Sequence, residues 1–235
     1  MVPTDDLVLR PADESDADAI AAIHLAARRA AAMPPAVHAE AAVRLWLGER
    51  LQVDEVWLAE VAGVAAGYAR MTPVWLDDLY VAPDAQRTGV GSALLDLAKA
   101  QRPAGFCLWV FESNEPARGF YRRHDLVELE RTDGAANEEG EPDVRMAWPG
   151  QEPLAFYRGL IDDVDAELGD LLNRRAALTR AVQHHKGTTE RDPAREREIA
   201  QALAARAPLL GEDRAARIVH AIITESLAAA TDPVE

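Results

Sequence analysis

At residues 149–153 the chain reads PGQEP, and the pattern of apolar residues is different on its two sides. Before it, short apolar runs of strand length alternate with stretches of helical period. After it strand signals stop, and leucines, valines and isoleucines recur at helical spacing. Two prolines and a glycine in five residues interrupt helix and strand alike and suit an exposed connector. The sequence therefore divides into 1–148, a connector at 149–153, and 154–235. A chain of 235 residues that is 49% hydrophobic has enough apolar material for two cores.

The first part reads as an α+β unit. LVLRPA (7–12) has strand character, and DADAIAAIHLAARRAAAM (16–33) is a helix with acidic residues early and arginines late, as the backbone dipole favours. HAEAAVRLWLGERL is a second helix. Residues 55–83 read as three strands with a turn at AGV and a break at TP. A helix from GVGSALLDLAKAQ, a buried strand GFCLWVFES and a short helix EPARGFYRRH follow, and LVELERT and VRMAW form a closing hairpin. In the second part, 154–186 is one long helical pattern with Leu160, Val164, Leu168, Leu171, Leu172, Leu178 and Val182 on a recurring stripe. DPAREREIAQALAARA and DRAARIVHAIITESLAAA add two more helices.

Charge narrows the partners. Twenty-five Lys and Arg stand against 40 Asp and Glu, a formal net charge of -15. Such a field repels nucleic acid and anionic lipid surfaces, so neither is an expected partner. The single Cys107, inside FCLWV, reads as a buried inert thiol in a reducing cytoplasm, and no run approaches the length of a bilayer span. His184 and His185, adjacent on a helix, face different ways and are not read as metal ligands; no metal site is expected.

One chemical signal lies at LYVAPDAQRTGVGSALL, where a strand meets a helix through Gln86, Arg87, Thr88, Gly89, Val90, Gly91 and Ser92. Glycines let backbone N–H groups approach a pyrophosphate, and the helix start stabilises its charge. The spacing is neither that of a P-loop nor that of a dinucleotide fingerprint. With NEPARGFYRRHDL downstream, residues 5–148 resemble the Gcn5-related N-acetyltransferase (GNAT) family. The resemblance implies acetyl-CoA as cosubstrate and a small-molecule amine as acceptor. It implies that Leu79 and Val81 hold the pantetheine arm through backbone groups, that Gln86, Arg87, Gly89, Val90, Gly91 and Ser92 hold the pyrophosphate, and that Asn114 contacts the cofactor. It also makes Tyr121 the acid that protonates the departing thiolate. Asp125 departs from the family, which usually has glycine there. Trp75, Asp77, Asp78 and Glu112 are acceptor-side candidates, with strand alternation placing only one of the two aspartates on the substrate face.

The second signal is RRAALTRAVQHHKG (174–187), cations on a helix whose other positions repeat like a seam. Arg175 and Lys186 project about 20° apart with about 16 Å of rise between them, so both long side chains can clasp one small anion. Arg174 and Arg180 point elsewhere and read as solvated charges. Asp192, Arg195 and Glu196 share a face of the next helix, which taken alone is ordinary surface ion pairing. Arg158 lies about 25 Å of helix before Arg175, so it joins that site only from the neighbouring chain of an antiparallel homodimer.

This arrangement resembles the all-helical chorismate mutase family over residues 154–228. The resemblance implies conversion of chorismate to prephenate without a cofactor, in a homodimer formed through the long first helix. The partner's Arg158, with Arg175 and Arg195, would bind the carboxylates, Lys186 the ether oxygen, and Asp192 and Glu196 the hydroxyl. The family's Gln or Glu that helps bond the ether oxygen aligns near Ala230, which has no donor; Glu235 is a candidate replacement. Three readings follow for the helical part: a chorismate mutase, an enzyme for isochorismate or aminochorismate, or a sensor and dimerisation module that binds an aromatic-pathway acid without turnover.

Overall fold

The computed structural model describes residues 6–186 and 191–231 and divides into two compact units, up to Tyr157 and from Arg158 onward. The first unit runs β1 (Leu7–Pro11), α1 (Ala17–Ala30), α2 (Glu40–Arg50), β2 (Glu55–Val61), β3 (Val64–Met71), β4 (Leu76–Val81), α3 (Val90–Gln101), β5 (Phe106–Phe111), α4 (Glu115–Arg123), β6 (Val127–Arg131) and β7 (Asp143–Trp148). The strands are those read from the sequence. The β2–β3 turn is tight because Ala62 and Gly63 both take positive φ, 51° and 77°, the pairing whose twist matches a hairpin.

Strands β1 to β4 form one antiparallel sheet in chain order, and β5, β7 and β6 form a second. The sheets join through a parallel bridge between Trp75 and Cys107, where the Cys107 N–H donates to the Val74 carbonyl at 3.0 Å. Beyond that bridge β4 and β5 diverge into separate sheets. One core, with Met71, Leu76, Leu94, Phe106, Leu108, Val144 and Met146, packs α3 and α4 on the strands. A smaller one, with Ile20, Ile23, Leu47, Val56, Leu58 and Tyr68, packs α1 and α2. Gly67 on β3 lets α3 approach, since a Cβ there would sit 3.0 Å from Val90 Cγ1.

Register shifts once within the β3–β4 pairing: Arg70 faces Asp78 and Met71 faces Leu76, so Asp77 is the extra residue of a bulge. Strict alternation fails at this point. Asp77 is exposed and Asp78 is buried, yet Arg70 lies 3.9 Å from one and 2.6 Å from the other, so both carboxylates turn toward it.

The second unit is helical: α5 (Pro153–Lys186), α6 (Pro193–Arg206) and α7 (Glu212–Thr231). Asp192 caps α6, its carboxylate accepting from Ala194 N and Arg195 N at 2.9 and 3.1 Å, and Pro193 occupies the first turn. Ala215, Val219, Ile223 and Ser226 of α7 are buried. The α5 stripe is not: Val164, Leu168, Leu171, Leu178 and Val182 are 47–63% exposed in the single chain.

Candidate active sites

Where β4 and β5 part, they leave a cleft of about 1240 Å³ bordered by β4, the loop before α3, β5 and α4. Leu79, Val81, Gln86, Arg87, Gly89, Gly91, Ser92, Asn114 and Tyr121 all line it. The loop owes its shape to Arg87 at φ 62° and Gly89 at φ 103°, an alternation of hand by which successive backbone N–H groups converge on an anion. Thr88 pins the loop by donating to the Ala85 carbonyl at 2.6 Å, and Gln86 donates to the Val81 carbonyl at 3.3 Å. A Cβ on Gly91 would meet Phe120 and Val81 at 3.6 Å, ordinary contact. Val90 differs from its neighbours: its side chain is buried in the core, leaving only its backbone to the loop.

Asn114 caps α4, its side-chain oxygen accepting from Ala117 N at 3.3 Å. Tyr121 is 8% exposed, and burial, reinforced by the Asp78 charge, pushes its phenol above the ordinary range, so it carries its proton at neutral pH. Asp125 takes φ 64°: the turn keeps the left-handed backbone that glycine would supply, in a residue type that tolerates it better than most. Of the acceptor-side candidates, Asp77 and Asp78 border the cleft, Trp75 stacks behind Trp109, and Glu112 instead accepts from Arg131 at 2.7 Å. Arg28 and Trp109 also line the cleft, and no periodicity marked them. Cys107 is buried, and burial pushes its thiol up.

In the helical unit the half-buried Arg175 donates to Ser226 Oγ at 2.6 Å, and it also reaches the Ile222 carbonyl at 3.4 Å. Arg180 is exposed, as a solvated charge is, and it also donates to the Ala229 carbonyl at 2.8 Å, tying α5 to the end of α7. Glu196 is held by Arg191 through two bonds of 2.5 and 2.7 Å, and Arg191 also meets Thr224 and His220. Arg191 holds the Glu196 carboxyl below its usual range; the two backbone N–H groups do the same for Asp192. Arg195 is engaged by Glu198 at 2.9 Å on the surface. Arg158 and Lys186 are exposed, at opposite ends of α5. Ala230 lies on α7 one turn after Ser226, and Glu235 lies outside the described residues. Ser226 escaped the sequence reading because its partner Arg175 is 51 positions away, and Arg191 because it precedes α6 and its contacts to Thr224 and His220 come from α7. Among the described residues no group of three His, Cys, Asp or Glu is placed to hold a metal ion.

Two family models match the sequence: an acetyltransferase (GNAT) domain over residues 52–125, and chorismate mutase type II over residues 157–230. The chain joins a GNAT domain to a chorismate mutase type II domain. The probable N-acetyltransferase Rv2775 of Mycobacterium tuberculosis is 38% identical over 79 residues, 30% of this chain and 45% of the relative, so the match spans less than half of that protein. The GNAT fold recurs in apo YjaB from Escherichia coli, at TM-score 0.52 and 20% identity over 61% of this chain and 98% of that one. It recurs in a GCN5-related N-acetyltransferase from Rhodopseudomonas palustris, at TM-score 0.51 and 25% identity over 60% and 94%. Salmonella typhimurium yncA, solved with acetyl-CoA, shares the fold at TM-score 0.50 and 19% identity over 62% and 95%. The cleft lies in the GNAT domain, and the Arg175 and Glu196 clusters lie in the chorismate mutase domain. Among the described residues no helix is long and apolar enough to cross a membrane.

Proposed function

We propose that the chain is a bifunctional cytoplasmic enzyme. Residues 1–148 transfer an acetyl group from acetyl-CoA to a small-molecule amine, and 154–235, after a connector at 149–153, convert chorismate to prephenate as a homodimer. The observation that carries the first activity is the left-handed loop at Arg87 and Gly89, opening onto a cleft that also holds a buried, protonated Tyr121. These residues fit acetyl-CoA, which brings the activated thioester. Backbone groups of Leu79 and Val81 align the pantetheine arm, and the loop from Gln86 to Ser92 receives the pyrophosphate. The amide group of Asn114 remains for the cofactor while its oxygen caps α4. Tyr121 gives its proton to the thiolate as the C–S bond breaks and the C–N bond forms; the amine's proton leaves to solvent. Replacing Tyr121 by Phe tests this through loss of turnover with acetyl-CoA affinity retained.

For the second activity the uncovered α5 stripe supports pairing with a second copy, since a single chain leaves six of its large apolar side chains exposed. An antiparallel partner delivers its Arg158 beside Arg175 and Lys186. Arg195, Asp192 and Glu196 complete the pocket, with catalysis by clamping a compact conformer and stabilising charge at the breaking ether bond. Ala230 favours a second reading, in which the domain is a sensor and dimerisation module that binds an aromatic-pathway acid without turning it over. Decay of chorismate absorbance in the presence of pure protein, with Lys186→Ala as control, separates the two.

A further inference from the structure

The acceptor end of the cleft carries a feature that acetyl transfer as such does not require. At the apex where the sheets separate, the Trp75 and Trp109 rings stack with centroids 6.3 Å apart and planes 14° apart. Arg145, the register partner of Trp109 on β7, sets its guanidinium 5.0 Å from the centre of the Trp75 ring. Trp109 is therefore fixed by its strand and by its neighbour, yet it is 43% exposed and lines the cleft. Its residue neighbours Leu108 and Val110 are buried in the α3 and α4 core, so alternation puts the Trp109 ring on the other face of the sheet. A rigid indole held open to a cleft is a stacking surface, and its natural complement is another flat ring.

Counting from the Trp75–Cys107 bridge, Asp77 stands two residues along β4 and Trp109 two residues along β5. Both line the cleft, one on each of the two strands that part there. Asp77 is the bulged residue, which frees its side chain from the alternation that buries Leu76 and Asp78. The neighbourhood is net negative: Arg70 alone faces Asp54 at 2.8 Å, Asp78 at 2.6 Å and Asp77 at 3.9 Å, and Arg28 is already matched by Glu139 at 2.9 Å. Of the three carboxylates on Arg70, Asp77 is the most exposed and the farthest from the guanidinium, with Thr72 as its other donor, so a cationic head group is drawn to it.

We propose that the acceptor is an arylalkylamine, a primary amine one or two carbons from a planar aromatic ring, with the ring on Trp109 and the ammonium at Asp77. This rests on the acetyltransferase reading of the cleft and names its substrate class. The test compares 2-phenylethylamine with 2-cyclohexylethylamine, which share length and charge and differ in the flatness and π-face of the ring. Binding of each amine to the full chain is measured by calorimetry without cofactor, and acetylation is measured separately with acetyl-CoA.

The expected result is a preference of roughly threefold to tenfold for the aromatic amine, the size of a stacking contact beyond the area it covers. Trp109→Leu brings the ratio to about one and leaves acetyl-CoA affinity intact, while Trp109→Phe, which keeps a ring, retains the preference. Asp77→Asn weakens 2-phenylethylamine and leaves 2-phenylethanol, the uncharged analogue, unchanged. Equal binding of the two amines, or a preference that survives Trp109→Leu, overturns the proposal. Amine binding that follows these rules without any acetylation supports the arylalkylamine site and overturns the acetyltransferase reading instead.

Discussion

Glu128 shows how single side chains hold the GNAT domain in shape. It accepts from Arg118, Arg122 and Arg131 at 2.8 to 2.9 Å, and these bonds, Arg118 first, hold its carboxyl down to about 2. Its pKa in the unfolded chain is about 4.3, so its contribution is complete above that value and is lost as pH falls toward 2. Urea midpoints across this window should fall less steeply for Glu128→Gln than for the parent. At the cleft, Tyr121→Phe should lower kcat by about 10²-fold or more while acetyl-CoA binding, read by calorimetry, stays within about twofold. Unchanged turnover would remove Tyr121 from the mechanism. Gly89→Glu sets a side chain and a negative charge on a φ of 103° at the anion loop and should abolish acetyl-CoA binding.

At the scale of elements, every strand and α-helix could be read from apolar period and turn chemistry, because each of these is a local property of the sequence, while the short 3-10 turns Glu14–Asp16 and Pro83–Ala85 were not. Features set by pairing between strands were not legible. The Asp77 bulge depends on how β4 registers against β3, and no pattern inside LDDLYV announces it. The same holds for Ser226, which looks like a neutral helix residue until Arg175, 51 positions away, is seen donating to it. The glycine loop was legible because its chemistry is contiguous. The stripe on α5 was legible as apolar, but its cover was implied only by the family resemblance, since apolar spacing alone does not distinguish an internal seam from an intermolecular one. If a second copy covers it, Leu168→Asp should convert a dimer to a monomer in sedimentation experiments, each buried leucine contributing about 1.5–3 kcal/mol to the association. An unchanged sedimentation coefficient would assign the stripe another role.

At the scale of the whole molecule, the two proposed sites fall in separate compact units, so damage to one should leave the other intact. Gly89→Glu is expected to retain the parent's rate with chorismate. The more demanding consequence of the proposed dimer is a shared mutase pocket, in which Arg158 would serve the partner's Lys186 and not its own. The direct test is chorismate consumption by differently tagged Arg158→Ala and Lys186→Ala chains, each alone and then co-expressed. Each variant alone should be inactive, and the mixture should recover about a quarter of the parent rate, since half of the dimers are mixed and each holds one intact pocket. A mixture as inactive as its components, or an Arg158→Ala protein as active as the parent, would contradict the account.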